Sequence, residues 1–304
     1  MIKFGIIGCS QIANSSTIPA ILESRNAKIK MIGSRSQNKA KKFAAKFQCT
    51  DFGTYEEVLE SDKIDAVYIS LPIGLHKEWC IKAAKAGKHI LCEKSSSSSY
   101  LDSVKMVKEA KKNEVRIMEG FMFRFHPSHK KVKELVNLGR LGKVYSFFGR
   151  YGFPYPPKND IRFKKELGEG ILNDAGCYPI CASRIIFEKE PIGVMCQSTL
   201  DKNKVDIKTT IHLKYSDNQF AQMIIGYGLL YHSSYSLWGT KGFLRLTRSY
   251  NIPANMKPTI SLNSIDSKKN ILIRPANHFK LMIESFSSEI TKKRSSNLYL
   301  KMIF

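Results

Sequence analysis

The sequence lacks several features that would mark a membrane or secreted protein. Its 304 residues contain no apolar run approaching the ~18 residues of a membrane span. Residues 1–5 lead directly into strand-like sequence, without the apolar region of a signal peptide. The seven cysteines include no C-x-x-C pair, so neither a zinc knuckle nor a disulfide framework is predicted. We therefore expect a cytoplasmic protein with reduced thiols and no membrane partner.

Acidic residues are scarce relative to basic ones, 26 against 49, which gives a net charge of +23. Such an excess can bind nucleic acid, because Lys and Arg neutralise phosphates. The lysines are, however, spread along the chain on segments that read as solvated helix faces, such as residues 39–46 and 130–133. We therefore favour a basic surface and anionic small ligands, with a nucleic-acid-binding protein as the less favoured alternative.

Two patterns of secondary structure divide the sequence. Residues 1–120 alternate short apolar strands with helical segments, which is typical of a parallel sheet covered on both faces. Residues 121–304 contain successive longer strands with few helices, which indicates an open antiparallel sheet. The predicted fold is an α/β Rossmann domain over 1–120, followed by an α+β domain over 121–304 with an open, mainly antiparallel sheet.

A dinucleotide-binding fingerprint follows the first predicted strand. In such a turn one glycine permits a tight bend, a second lets the backbone approach the pyrophosphate, and a small residue lets the helix pack on the strand. Ser10 stands where the second glycine is usual. An ordinary strand–turn–helix is the alternative interpretation. The candidate cofactor-binding residues of this turn are Gly8, Ser10, Gln11, Ile12 and Ala13.

The choice of cofactor depends on the end of the second predicted strand, about 20 residues beyond the turn, where NAD enzymes place an acidic residue. This sequence has Gly33, Ser34, Arg35 and Ser36 there, with no carboxylate. A guanidinium can bind a 2′-phosphate through two hydrogen bonds. We therefore expect Ser34 and Arg35 to bind NADP(H), with NAD(H) as the alternative cofactor. The alternative interpretation is that Arg35 is an ordinary exposed residue at a helix start.

Four segments together resemble the glucose-fructose oxidoreductase and inositol dehydrogenase family, written Gfo/Idh/MocA. They are residues 5–8 with Ala13, residues 86–94 (AGKHILCEK), residues 118–127 (MEGFMFRFHP) and residues 170–179 (GILNDAGCYP). The resemblance covers nearly the whole chain. It implies a Rossmann domain followed by an α+β domain whose open sheet often forms a dimer interface.

The family's Glu-Lys-Pro motif corresponds to Glu93, Lys94 and Ser95. By resemblance, Lys94 contacts the substrate hydroxyl and takes part in proton transfer, and Glu93 belongs to the cofactor site. Ser95 departs from the family, and loss of the proline ring frees the backbone φ angle beside Lys94. Leu71 and His76 follow another strand and are assigned to the cofactor pocket, with a helix-start role as the alternative for His76.

A second family motif corresponds to Asp174 through Tyr178, with tyrosine where many relatives have histidine. The resemblance makes Tyr178 the general acid or base and lets Asp174 position the substrate. The alternative is that Asp174 caps a helix and Tyr178 is a partly buried aromatic residue. We expect a neighbouring Lys94 ammonium to lower the pKa of a tyrosine toward the working pH. The candidate catalytic residues are Lys94, Tyr178 and Asp174.

The predicted function is an NAD(P)-dependent oxidoreductase that moves a hydride to or from a hydroxyl or ketone carbon of a sugar derivative, including nucleotide-linked sugars. A non-catalytic NADP-binding sensor is the alternative, suggested by Ser10 and Ser95. No histidine pattern has metal-site spacing. The loose polar–apolar alternation of residues 220–225 leaves one sheet face apolar, which predicts a homodimer or a larger homo-oligomer.

Overall fold

The computed structural model describes residues 1–265 and 267–292. The chain divides into two compact units. The first contains Met1–Phe121 and the described residues from Phe279 onward, and the second contains Met122–His278.

The first unit is built on a six-stranded sheet in which every strand pair is parallel, with strand order β3-β2-β1-β4-β5-β6. This order changes direction between β1 and β4, the point at which doubly wound sheets bind ligands. The strands are β1 (Ile2–Ile7), β2 (Ala27–Gly33), β3 (Asp51–Gly53), β4 (Ala66–Ile69), β5 (His89–Cys92) and β6 (Ile117–Glu119). The helices are α1 (Ile18–Glu23), which follows a π-helical turn (Ala13–Thr17), α2 (Gln37–Lys46), α3 (Tyr55–Glu60), α4 (Ile73–Lys85) and α5 (Tyr100–Lys112).

The second unit is built on an eight-stranded sheet with order β14-β13-β12-β11-β7-β10-β9-β8. All its strand pairs are antiparallel except β7 with β10. Its helices are α6 (Pro127–Asn137) and α7 (Cys177–Phe187). Its strands are β7 (Val144–Phe153), β8 (Gly193–Leu200), β9 (Asp206–Lys214), β10 (Phe220–Tyr227), β11 (His232–Gly239), β12 (Gly242–Thr247), β13 (Thr259–Ser264) and β14 (Lys268–Leu272). The predicted fold class is thus confirmed.

Local sequence signals account for most of these elements. Strands β1 and β4 are almost entirely apolar and buried, as expected for a parallel sheet covered on both faces. Thr54 and Glu57 form the capping box that opens α3, and the Ser99 hydroxyl caps α5 by accepting a hydrogen bond from Asp102 N. Helix α4 begins at Ile73, directly after Pro72.

The C-terminal helix α8 (His278–Thr291) groups largely with the first unit, whereas the sequence analysis assigned all of residues 121–304 to the second domain. The ring of Phe286 on this helix lies 6.2 Å from the ring of Phe4 on β1. Asn26 Nδ2 also donates to the carbonyl oxygen of Glu284 at 2.9 Å. The last part of that predicted domain, residues 293–304, lies outside the described residues.

Candidate active site

Gly8 lies at the turn after β1, at the carboxyl edge of the first sheet. Its φ angle is +105°, a conformation that side-chain-bearing residues rarely adopt. A Cβ atom placed there would lie 3.0 Å from the carbonyl oxygen of Ser70 and 3.0 Å from Leu71 Cδ2. The Ser70 hydroxyl donates to the Gly8 carbonyl oxygen at 2.9 Å. The turn therefore requires glycine, and the Leu71 side chain lies beside it; the assignment of Leu71 to the cofactor pocket stays a prediction.

Ser10 opens the helical segment that follows this turn. Its hydroxyl accepts a hydrogen bond from Ala13 N at 3.1 Å, and its carbonyl oxygen accepts one from Asn14 N at 3.0 Å. Ala13 is fully buried, which matches the small residue that close helix–strand packing requires. Gln11 is exposed and Ile12 is half-buried. Serine at the second glycine position thus stabilises the start of the helix.

Arg35 is exposed just beyond β2, while Ser34 is buried and its hydroxyl accepts a hydrogen bond from Ser36 N at 3.2 Å. Burial raises the pKa of the neighbouring Tyr55 hydroxyl, and the Arg35 charge and hydrogen bonds oppose that rise. Arg35 therefore lies near the Tyr55 hydroxyl, just beyond β2, where a 2′-phosphate contact is expected.

Sequence reasoning missed Lys39, which it treated as an ordinary surface lysine of α2. Burial raises the pKa of the Cys9 thiol, and the Lys39 charge opposes this rise. Lys39 is thus a further cation whose charge reaches Cys9, the residue that follows Gly8. The sequence signal that could have indicated Lys39 is its position four residues, or about one helical turn, after Arg35.

Glu93 and Lys94 follow β5, which is paired to β4 in the same sheet. The Tyr68 hydroxyl donates to Glu93 Oε1 at 2.5 Å, and the Thr17 hydroxyl donates to the Tyr68 oxygen at 3.0 Å. Lys94 N lies 3.4 Å from Glu93 Oε2, and the peptide bond between Lys94 and Ser95 is cis. Burial raises the pKa of the Glu93 carboxyl.

His76 is completely buried in the first turn of α4. Its Nδ1 atom lies 2.9 Å from the Ser95 carbonyl oxygen, and its Nε2 atom lies 2.8 Å from the Leu71 carbonyl oxygen. Burial lowers its pKa. Both ring nitrogens thus face backbone carbonyl oxygens, and the assignment of His76 to the cofactor pocket stays a prediction.

These features of the first unit fit a dinucleotide. A glycine turn that a Cβ would fill follows β1, the small residue Ala13 lets the helix pack closely, and cationic Arg35 and Lys39 lie near the end of β2. Helix starts also carry backbone N–H groups that lack acceptors within the helix and suit phosphate oxygens.

Asp174 belongs to the second unit, in a π-helical turn (Leu172–Gly176) that precedes α7. Its Oδ2 atom accepts hydrogen bonds from Arg162 Nε at 2.8 Å and from the Tyr227 hydroxyl at 3.3 Å. Burial alone would lower the pKa of Arg162, but Asp174 and Asp160 raise it. Gly176, not Asp174, occupies the N-cap of α7, so the capping alternative for Asp174 does not hold.

Tyr178 lies in the first turn of α7 and is 5% exposed. Its hydroxyl is 3.7 Å from Met122 Sδ. Its ring packs against other aromatic rings of the second unit, those of Phe123, Tyr151 and Tyr250. Lys94 belongs to the first unit, whereas Asp174 and Tyr178 belong to the second. Their joint action therefore stays a prediction.

No cluster of three or more His, Cys, Asp or Glu side chains that could hold a metal ion occurs within residues 1–265 and 267–292. The His129 ring illustrates a structural role, because its Nε2 atom bonds the Ser249 carbonyl oxygen at 2.7 Å. Likewise, no helix in the described part of the chain is long and apolar enough to cross a bilayer.

Comparison with known proteins identifies relatives over most of the chain. A family model described as an oxidoreductase family with an NAD-binding Rossmann fold matches residues 2–121, and a GFO/IDH/MocA C-terminal domain model matches residues 129–245. A dTDP-3,4-didehydro-2,6-dideoxy-alpha-D-glucose 3-reductase from Saccharopolyspora spinosa is 31% identical over 95% of this chain and 87% of its own. A D-xylose 1-dehydrogenase (NADP(+)) from Haloferax volcanii is 30% identical over 94% of this chain and 88% of its own.

A solved structure gives the same result for the fold. A 3-ketoreductase from Actinomadura kijaniata, in complex with NADP and TDP-benzene, superposes with a TM-score of 0.93 at 28% identity, covering 99% of this chain and 93% of its own. The same reductase has also been solved with single substitutions of a tyrosine and of a lysine.

The crowding at Gly8 predicts that alanine destabilises the protein more at Gly8 than at Gly87, another glycine of the first unit. Gly87 also has a positive φ angle, +71°, but a Cβ there would meet nothing within 4 Å. Gly87→Ala should lower the free energy of unfolding by about 1 kcal/mol, and Gly8→Ala by about 2–3 kcal/mol because it adds steric overlap to backbone strain. Urea denaturation of both variants measures the difference, and equal losses would contradict the crowded turn.

Proposed function

The chain belongs to the Gfo/Idh/MocA family of oxidoreductases, and from this membership we propose that it transfers a hydride between NADP(H) and a hydroxyl or ketone carbon of a sugar derivative. The observation that carries the proposal is the alignment of strand ends in one parallel sheet. Gly8 follows β1, Leu71 follows β4 and Lys94 follows β5, and these three strands are hydrogen-bonded neighbours.

The bound dinucleotide supplies the hydride donor or acceptor, and the residues of the chain supply binding and proton transfer. The glycine turn and Arg35 bind the anionic part of the cofactor, and Lys39 adds a second cation. NADP(H) is preferred over NAD(H) because the end of β2 carries Arg35 and no carboxylate. The enzyme is favoured over a non-catalytic sensor because Lys94 and Tyr178 are both present and because the Ser10 hydroxyl supports the helix start.

Lys94 polarises the reacting oxygen, and Tyr178 delivers or accepts its proton. Asp174 positions the substrate and does not transfer the proton. The hydrogen bonds that Asp174 Oδ2 accepts from Arg162 and from the Tyr227 hydroxyl support this division of roles, because they occupy that oxygen within the second unit. The related 3-ketoreductase studied as tyrosine and lysine variants supports the choice of the same two residue types.

The proposed substrate class is a sugar or a nucleotide-linked sugar. Relatives named as dTDP-sugar 3-reductases and as a D-xylose dehydrogenase support both members of this class. The test is turnover of NADPH with dTDP-linked ketosugars, and of NADP+ with free aldoses. Turnover with neither set, despite tight NADPH binding, would favour the sensor.

Arg35 provides a test of the cofactor preference. A charge-assisted hydrogen bond contributes about 1.5–3 kcal/mol, so the Kd of NADPH should be lower than that of NADH by the factor that corresponds to this free energy. Arg35→Ala should remove most of this preference, and Lys39→Ala a smaller part. Lys41→Ala is the matched control, since position 41 faces away from position 39 on the same helix. Fluorescence titration gives the affinities, and equal affinity of the wild type for both cofactors would contradict the assignment.

The catalytic roles predict a distinct kinetic signature for each residue. Tyr178→Phe should keep cofactor affinity and lower turnover by about 10²- to 10⁴-fold, the usual effect of a positioned proton donor, with Lys94→Ala at least as severe. The double variant should fall short of the product of the two losses. Asp174→Asn should raise KM more than it lowers kcat, because it weakens the contact with Arg162. Near-wild-type turnover in Tyr178→Phe would exclude the tyrosine as proton donor.

We also propose that the chain forms a homodimer or larger homo-oligomer through the outer face of the second sheet. Trp238, which is 64% exposed, pairs across β11 and β12 with Phe243, which is 36% exposed. An apolar patch of this kind favours association. A cytoplasmic location is proposed as well, because all seven cysteines are free thiols.

Trp238→Glu tests the proposed interface by placing a charge in the patch. The wild type should be at least dimeric at micromolar concentration, and this variant should shift toward monomer without a loss of secondary structure. Leu101→Glu is the control, since Leu101 is 68% exposed on α5 of the first unit. Light scattering after gel filtration gives the mass, and a monomeric wild type would contradict the proposal.

A further inference from the structure

The backbone that follows Lys94 is held from two sides by buried side chains outside its own motif. His76 Nδ1 lies 2.9 Å from the Ser95 carbonyl oxygen, and Ser96 N donates to Glu119 Oε1 at 2.7 Å. His76 is fully buried and Glu119 is 8% exposed. Consecutive backbone groups directly after the lysine are thus fixed by an imidazole and a carboxylate.

The second nitrogen of His76 connects this segment to the neighbouring strand. Nε2 lies 2.8 Å from the carbonyl oxygen of Leu71, which follows β4. The ring therefore lies between the residues that follow β4 and β5, adjacent strands of the sheet. A neutral imidazole carries a single N–H and can donate to only one of the two carbonyl oxygens. We assign this N–H to Nδ1, which then donates to the Ser95 carbonyl oxygen. A ring that only filled space in the core would need no polar atoms, and burying them costs free energy unless they are hydrogen-bonded.

The need for such a bridge follows from the residue at position 95. Proline would fix its own φ angle, whereas serine leaves that angle free. External hydrogen bonds can restrict the same backbone, provided that their donors and acceptors are themselves held rigidly. His76 is rigid because it lies inside α4, and Glu119 because it ends β6, the neighbour of β5.

We propose that His76 and Glu119 are positioning residues that fix the Ser95–Ser96 backbone and thereby place the Lys94 ammonium. His76 acts on the lysine through this backbone and does not contact the cofactor. This inference rests on the proposed function because that function gives Lys94 its catalytic role. The restraint on the backbone can itself be measured without a substrate.

Paired substitutions at position 76 separate the hydrogen bonds from the volume of the ring. Asn places a side-chain amide close to where Nδ1 lies and can still donate to Ser95, whereas Gln reaches toward the Leu71 carbonyl oxygen. Phe fills the space with no hydrogen bond. We expect kcat to fall about 10- to 100-fold in His76→Phe and His76→Gln, as expected for a small displacement of a catalytic group, and to recover severalfold in His76→Asn. KM and the Kd of NADPH should change little.

Two substitutions at position 119 test the hydrogen bond to Ser96 N independently of those at position 76. Glu119→Gln keeps the Oε1 acceptor for Ser96 N, and Glu119→Met removes it. We expect Glu119→Met to lower kcat by a factor similar to that of His76→Phe, with Glu119→Gln clearly less affected. Equal losses in the two Glu119 variants would show that charge, and not the bond to Ser96, matters, and would overturn this part of the proposal.

A measurement without substrate follows the lysine directly. Acetylation of Lys94 by acetic anhydride, quantified by mass spectrometry relative to exposed Lys41, should change severalfold in His76→Phe and Glu119→Met and stay near the wild-type ratio in His76→Asn. Unchanged labelling and unchanged kcat in a folded His76→Phe would overturn the proposal, as would equal effects of Asn and Phe. If His76→Phe does not fold, the comparison of His76→Asn with His76→Gln in the same measurements tests the proposal instead.

The same data separate this proposal from the proposed function. A wild type that binds NADPH without turnover, or a Lys94→Ala variant with normal turnover, would reject the catalytic assignment while the labelling ratios still report on the restraint. A large loss of NADPH affinity in every His76 variant would instead make His76 part of the cofactor site and overturn its positioning role.

Discussion

The hydrogen bonding of β1, β4 and β5 side by side is the constraint on which the first unit depends. Parallel strands in register end at a common edge, so the residues that follow them are brought together by backbone pairing. Gly8, Leu71 and Lys94 occupy that edge, although up to 86 residues separate them in the chain. The Ser70 hydroxyl, which bonds the Gly8 carbonyl oxygen, adds a side-chain link to the same edge.

Charge is distributed in a way that suits an anionic ligand at this edge. The 49 basic and 26 acidic residues are spread over the chain, but Glu93, which follows β5, and Glu119, which ends β6, are buried. Glu93 accepts from Tyr68, and Glu119 accepts from Ser96 N. One oxygen of each carboxylate thus accepts from a donor within the fold, while Arg35, just beyond β2, is exposed.

The sequence predicted the parts of the fold that depend on local pattern. The alternation of apolar strands and helices sufficed for the first sheet, and Thr54 and Ser99, which cap α3 and α5, are residue types that favour helix starts. Strand β3 is too short to show a period, and β14, with its three polar residues Lys268–Asn270, has no apolar alternation. The partners of Asp174 could not be predicted either, since Arg162 and Tyr227 lie 12 and 53 residues away and are brought to it by folding.

The two departures from the family motifs illustrate how one kind of constraint can replace another. At position 10 the chain loses the conformational freedom of glycine, yet the hydroxyl of the new serine caps the helix that the turn must start. At position 95 it loses the rigidity of proline, and His76 bonds the backbone of that residue while Glu119 bonds that of the next. Because both replacements are hydrogen-bonded within the first unit, neither substitution by itself implies that catalysis has been lost.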